Sequence, residues 1–456
     1  MGTIILRIAA GIIAVLGLVV IAFLAMAPPY FDNKMNPVVP HAPYQVSEEA
    51  QALHATIPVA DLHADTMLWN RDILKRNERG HVDLPRLREG GVFLQVFTAV
   101  TKTPSGQNYE ENDASTDDIR TLAMVQRWPR RTWDSRTERA IYQAQKLAAF
   151  AGKDPGVIVV RSWSDLAAHS DYEGWRRQVD HPSDEEFAEE VKRLYQMTEE
   201  EYDAYAEANM KGPDFIQWPN CRDGICGSNS GYLHRGQAIH KVPHLAFILG
   251  TEGSHALDGD LANIDRLFDV GYRVMGLHHF FDNKLGGSLH GTSGDGLSDF
   301  GRAAVERMRE KEIIIDVAHS SEQTVRDALA MGAGPFIVSH TGFDGHCSSP
   351  RNISDGLMAD IAEDGGLIGV GFWEDVTCDA SPAGIADAIL YGANKFGVDH
   401  IALGSDYDGT VTVELDASEL AAITQALMDA GMPDDDIRKV MGGNTVRFFL
   451  ENLPAE

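Results

Sequence analysis

Residues 57–65 read IPVADLHAD, an apolar run that turns polar at its end, where His63 and Asp65 stand two positions apart. On a β-strand, residues two apart share a face. That face either decorates a surface or looks into a cleft where the pair can grip a cation, and a short His-x-Asp match is too common to decide between them. Repetition decides. Apolar runs recur at 91–100 (GVFLQVFTAV), 243–253 (PHLAFILGTEG), 272–279 (YRVMGLHH), 312–320 (EIIIDVAHS), 335–341 (PFIVSHT), 366–373 (GLIGVGFW) and 400–409 (HIALGSDYDG). Helical patterns such as DFGRAAVERMREK and SEQTVRDALAMGA fall between them. Near-continuous apolar strands alternating with helices imply a parallel sheet covered on both faces, and eight of them imply a (β/α)8 TIM-type barrel. An open doubly wound sheet is the alternative, but no Gly-x-Gly-x-x-Gly turn follows the first run.

Polar residues crowd the C-terminal ends of most of these runs: His63 and Asp65, Glu252, His279, His319, His340 and Asp406. In a barrel those ends meet at one mouth, and a scatter of core histidines would not keep this phase. Imidazole and carboxylate without thiolate suit two divalent cations, zinc foremost, with one acid able to bridge them. Such a pair lowers the pKa of a shared water and supplies hydroxide near neutral pH, which points to hydrolysis. Arg351, in SSPRNISD after the sixth run, is the cation left to hold a substrate carboxylate in a two-pronged contact. His255, His278, His290 and His346 lie nearby in sequence and read as ordinary polar groups.

Lys and Arg number 39 against 68 Asp and Glu, and the formal charge of −29 argues against nucleic acid or an anionic membrane surface as the main partner. The 456 residues can bury one large core or two smaller ones. Residues 8–27, IAAGIIAVLGLVVIAFLAMA, are uncharged and long enough to cross a bilayer as a helix. Residues 25–27, AMA, imitate a signal-peptidase site, but Pro28 and Pro29 follow directly and disfavour cleavage. A retained transmembrane anchor is therefore expected, with Met1 in the cytoplasm and the large domain in the periplasm or outside the cell; secretion after cleavage is the alternative. The expected organisation is an anchor at 1–29, a linker at 30–50 and a barrel domain at 51–456. A largely helical insertion at about 101–242, between the second and third strands, is too long for a bare loop. Its acidic stretch at 183–210 reads as a solvated helix face.

Cys221, Cys226, Cys347 and Cys378 make an even count in a chain expected to mature in an oxidising compartment, so disulfides are permitted. Cys221 and Cys226 lie close in a Gly-rich turn and could close a local loop, but they lack the second pair of a zinc ribbon.

The segments DLHADT, HVDLPRLREGGV, GTEGSHALDGD, GYRVMGLHHFFDNKLGGSLHG, DVAHSSEQT, VSHTGFDGHCSSPRNISD, LGSDYDG and IRKVMGGNTVRFF run in this order from about residue 57 to 450. As a set they resemble the membrane dipeptidase family, the renal dipeptidase-like zinc peptidases of the amidohydrolase superfamily. The resemblance implies a barrel with a binuclear zinc site that hydrolyses dipeptides by attack of a metal-bridging hydroxide. On that pattern His63 and Asp65 bind one zinc, Glu252 bridges, and His319 and His340 bind the other. His279 polarises the scissile carbonyl and holds the oxyanion, and Arg351 holds the C-terminal carboxylate. Asp406 takes a proton from the bridging water and passes it to the leaving amine. The family pattern also implies a disulfide between Cys347 and Cys378, bracing the loop that carries Arg351.

Two features depart from that family: the long insertion with Cys221 and Cys226, and the lack of a hydrophobic C-terminal tail, which leaves any membrane attachment to the N-terminus. The expected partners are a dipeptide and the membrane, with no nucleic acid and with homodimerisation left open. Two other functions stay in view. One is a related amidohydrolase reaction on the same site, deacylation of N-acyl amino acids or hydrolysis of a lactam. The other is a non-catalytic binding protein tethered to the membrane.

Overall fold

Each of the eight apolar runs forms a strand, and the strands close on one another. A computed structural model describes residues 2–169, 221–222, 225–226 and 245–455 of the chain. Its strands are β1 (Val59–Ala64), β2 (Val92–Val100), β3 (Val157–Val159), β4 (Cys221–Arg222), β5 (Ile225–Cys226), β6 (Leu245–Glu252), β7 (Tyr272–Gly276), β8 (Ile314–Asp316), β9 (Ile337–Thr341), β10 (Leu367–Val370) and β11 (Ile401–Leu403). The order β2-β1-β11-β10-β9-β8-β7-β6 is parallel throughout, and β6 pairs back on β2 from Leu94↔Ala246 to Val100↔Glu252. That last pairing shuts the ring, so the open doubly wound alternative is excluded. The strands are buried almost without interruption, as their apolar runs require.

The helices start where a serine can cap them. Ser298, Ser321, Ser354 and Ser381 accept hydrogen bonds from the backbone N–H groups of Gly301, Thr324, Leu357 and Gly384. Each such cap stabilises its helix by about 1 kcal/mol. The last helix, Asn444–Asn452, packs Val446, Phe448 and Phe449 against Leu94, Val96, Ile248 and Ile314 of the strands.

The stretch between β2 and β6 divides. Residues up to Leu166 belong to the same compact unit as the barrel, and 167–241 form a second one. In the first, helix Arg136–Ala151 packs Ala140, Ala144 and Leu147 into the barrel core, and β3 pairs with the N-terminal half of β6. In the second, β4 and β5 make a short antiparallel hairpin that sets the backbone of Cys221 opposite Cys226. The acidic stretch 183–210 lies outside the described residues, as do the side chains of both cysteines.

Residues 8–27 fall within one helix, Gly2–Met35. Among the described residues, however, no helix is long and apolar enough to cross a membrane. The expected transmembrane span is therefore not shown among the described residues.

Candidate metal centre

Parallel closure brings the C-terminal ends of the strands to one mouth, and there the seven polar residues read from the sequence meet. His63 Nε2 lies 3.6 Å from Asp65 Oδ1, 3.7 Å from Glu252 Oε1 and 3.8 Å from Asp406 Oδ1. Glu252 Oε1 is also 3.4 Å from His319 Nε2 and 3.5 Å from His340 Nε2, and its Oε2 is 3.3 Å from His279 Nε2. Three groups of potential ligands result: His63, Glu252 and His340; Glu252, His279 and His319; His63, Asp65 and Asp406. Glu252 belongs to two of them, the place of a bridging acid. His279 joins His319 there as a potential ligand, which the sequence reading did not foresee.

Backbone geometry helps to aim these groups. His319 and Asp406 both sit at a left-handed φ of 59°, a strain that side-chain-bearing residues keep only where the surroundings enforce it. Gly409 makes room for Asp406: a Cβ at that position would stand 1.9 Å from Asp406 Oδ1.

One hydroxyl sets the state of two imidazoles. Ser339 Oγ donates its single proton to Asp316 Oδ2 at 2.6 Å. Its lone pairs then accept from His63 Nδ1 at 3.0 Å and His340 Nδ1 at 2.9 Å. In the neutral form both rings therefore keep their proton on Nδ1 and turn a free Nε2 inward. His63 Nε2 is buried with no hydrogen-bond partner. His340 Nε2 faces His319 Nε2 at 2.9 Å; two facing lone pairs require a proton or a cation between them. On the carboxylate side, Thr98 Oγ1 donates to Asp65 Oδ1 at 2.6 Å. Thr98, Asp316 and Ser339 were not singled out in the sequence. Asp316 and Ser339 lie three and one positions before His319 and His340 in the same apolar runs, and that proximity was the available signal.

The electrostatics favour a cation. Burial and the neighbouring Asp65 charge push Glu252 well above the ordinary carboxylate range. Burial, with Asp65 adding to it, pushes Asp406 up to about 8 against the pull of His63 and Arg351. At His63 burial alone would favour the neutral ring, but Asp65, Glu252 and Asp406 overcome it and push the value up to about 10. Without a metal, then, the cluster holds protons at the atoms a metal would use. His279 is pushed down to about 3 by burial. Its Nδ1 donates to Lys102 O at 3.4 Å, which leaves the neutral ring a lone pair at Nε2, towards Glu252. Convergent Nε2 lone pairs and clustered acids, with no thiolate beside them among the described residues, fit zinc or a similar divalent ion.

Arg351 stands at the edge of this cluster, 1% exposed. It donates from Nη2 to His340 O at 2.7 Å, and Nη2 lies 3.4 Å from His319 Nε2. The guanidinium lies 5.7 Å from the Trp373 ring centre. Among the described residues no carboxylate is within ion-pair distance of it. Tyr109, from the loop after β2, reaches the same place: its hydroxyl accepts from Trp373 Nε1 at 3.0 Å and its carbonyl from His290 Nδ1 at 2.8 Å. Cys347 and Cys378 form the disulfide that the resemblance implied, with Cα atoms 5.6 Å apart.

The chain is similar to several known proteins. The family model described as membrane dipeptidase (peptidase family M19) matches residues 47–199 and 233–453. The chain is 31% identical over 222 residues to dipeptidase aclJ of Aspergillus oryzae, covering 46% of this chain and 52% of the relative. It is 29% identical over 243 residues to dipeptidase ataJ of Aspergillus terreus, covering 47% and 59%. The alignments thus span little more than half the length of these curated relatives. A metallopeptidase structure from Rhodobacter sphaeroides, liganded with a phosphinate mimic of L-Ala-D-Ala, matches with a TM-score of 0.57 at 18% identity, over 87% of this chain and 99% of that one.

Proposed function

The chain belongs to the membrane dipeptidase family, and from that premise we propose that it is a binuclear zinc dipeptidase. His63 and Asp65 would hold one ion, His319 and His340 the other, and Glu252 both. Bound there, the ions would lower the pKa of a coordinated water towards neutrality and polarise the scissile carbonyl. The protein's own groups supply the rest. Arg351 receives the C-terminal carboxylate, and Asp406 holds the proton that ends on the leaving amine. For His279 to donate to the oxyanion its proton must stand on Nε2, which releases the long 3.4 Å contact to Lys102 O.

The observation that carries a dipeptide, rather than any amide, is Arg351. A guanidinium 1% exposed with no carboxylate beside it among the described residues is costly to keep buried, and a substrate carboxylate would relieve that cost. The test compares kcat/KM for a dipeptide, the same dipeptide amidated at its C-terminus, and an N-acetyl amino acid. A D-residue at the second position belongs in the panel because the Rhodobacter sphaeroides structure carries an L-Ala-D-Ala mimic. The free dipeptide should be preferred over its amide by about 100-fold, the scale of a sheltered bidentate contact. Arg351→Ala should erase that preference with metal content unchanged. Equal cleavage of free and amidated dipeptides overturns the reading, and preference for the N-acetyl substrate replaces it with deacylation.

We also propose that the N-terminal helix anchors the protein, with the barrel outside the cytoplasm. Its support is the apolar sequence 8–27 and the exposure of Ile8, Ile12, Ile13, Val15, Leu16 and Phe23 along that helix. Salt-washed membranes should retain the protein with an intact N-terminus; a soluble product starting near Pro28 would show a cleaved signal instead.

A further inference from the structure

The stretch read from the sequence as a linker is fastened to the barrel beside Asp406. Asp32 and Asn36, at the end of the helix Gly2–Met35, are 1% and 2% exposed. Asp32 Oδ2 lies 3.3 Å from Arg71 Nε and accepts from Arg79 Nε at 2.8 Å. Arg71 is itself buried, and its Nη2 lies 2.5 Å from Asp408 Oδ2. Asn36 donates to Asp32 Oδ1 at 3.1 Å and accepts from the backbone N–H of Thr410 at 3.0 Å. Pro37 O accepts from Val413 N at 3.2 Å, and Val39 N donates to Val413 O at 2.8 Å.

These contacts converge on a loop that would not hold its shape alone. Asp406, Asp408 and Thr410 all have left-handed φ values, 59°, 63° and 67°, a conformation that residues with side chains keep only where the surroundings enforce it. From the barrel side, Ser405 N and Oγ each donate to Asp61 at 2.7 Å, and Asp65 N donates to Tyr407 O at 2.9 Å. Asp408 is held from four directions: by Thr66 Oγ1, by Trp69 Nε1 on its carbonyl, by Arg71, and by His81, whose N–H donates to its carboxylate at 2.7 Å. The far side of the loop is held by the strap. Gly409, between the clamped Asp408 and the clamped Thr410, lies beside the Asp406 carboxylate, where a Cβ would stand 1.9 Å from Oδ1.

We propose that residues 32–39 form a strap that belongs to the catalytic loop, with Asp32 and Asn36 as positioning residues for Asp406. The path runs from Asp32 through Arg71 to Asp408, and from Asn36 to Thr410, closing on Asp406 from both sides of Gly409. A protein cut after the apolar stretch 8–27 but before Asp32 keeps the strap; one cut after Asn36 loses it. The proposal rests on the role given to Asp406 above, so its test has one arm that needs no turnover.

The variants are Asp32→Asn, Asn36→Ala and Asp32→Glu in the full chain, purified in detergent and loaded with zinc. Asn36→Ala should speed hydrogen exchange at the Thr410 amide at least tenfold, leaving amides in β6 and β9 as slow as in the wild type. Asp32→Asn and Asn36→Ala should each lower kcat for a dipeptide about tenfold with KM and bound zinc unchanged, and Asp32→Glu should recover most of the loss. Unchanged exchange at Thr410 overturns the strap whether or not the protein cleaves dipeptides. Wild-type kcat in both variants, or a fall in kcat that tracks lost zinc, overturns the positioning role. Absence of dipeptide hydrolysis in the wild type would instead count against the proposed function and leave the exchange arm standing.

Discussion

Ser339 has one proton and two imidazole neighbours, and this decides which nitrogens face the centre. The ligating types were legible in the sequence because their position at strand ends is a matter of phase: His63, Glu252, His319 and His340 each close an apolar run. Ser339 was not legible, because its role depends on which residues of neighbouring strands come level, and Asp316 and Ile337 are paired by the β8–β9 register. Deleting the hydroxyl leaves Nδ1 of both His63 and His340, and one oxygen of Asp316, without their shared partner. Ser339→Ala should therefore weaken metal binding by about 10- to 100-fold, the usual effect of removing a group that orients a ligand. Competition with a graded series of chelators measures it, and activity should return at high zinc. Unchanged affinity would mean that the rings are held by packing alone.

The barrel strands were readable as elements, since strands buried on both faces leave unbroken apolar runs. The connections were harder. The stretch from residue 101 was expected as one insertion, yet its first part supplies a barrel helix, a strand on β6 and, in Tyr109, a wall of the site. Helical periodicity shows that a helix buries one face without showing against what. The loop after β9, which carries Arg351, is tied to the short helix after β10 by the Cys347–Cys378 disulfide across 31 residues. A cross-link of that span stabilises by about 3–4 kcal/mol through the unfolded chain. It also fixes Arg351 relative to Trp373. Cys347→Ser with Cys378→Ser should lower the melting temperature and raise KM for dipeptides more than it lowers kcat. A kcat loss with KM intact would place the disulfide's effect on the metal cluster instead.

At the scale of the whole molecule the acidity of the chain and the acidity of its centre can be told apart by pH. Asp406 and His63 are both raised in the folded, metal-free protein, to about 8 and about 10. Each binds its proton more tightly folded than unfolded, where the values lie near 4 for Asp and 6.5 for His. Their stabilising contribution is thus fully present below those unfolded values, and it is lost as pH rises through about 8 for Asp406 and about 10 for His63. Metal replaces these protons, so its binding tightens as they leave. The overall charge of −29 grows with pH whether or not metal is bound, and the metal-loaded protein records that background. The expected outcome is a melting temperature that falls from about pH 6 to about pH 9.5 in chelator and changes little with bound zinc, so that the gap between the two widens with pH. Paired calorimetric scans across that range provide the measurement. A gap that stays constant would show that the protons and the metal do not share the same atoms. A gap that narrows would reverse the sign and remove the cluster of Asp65, Glu252 and Asp406 as the source of the metal affinity.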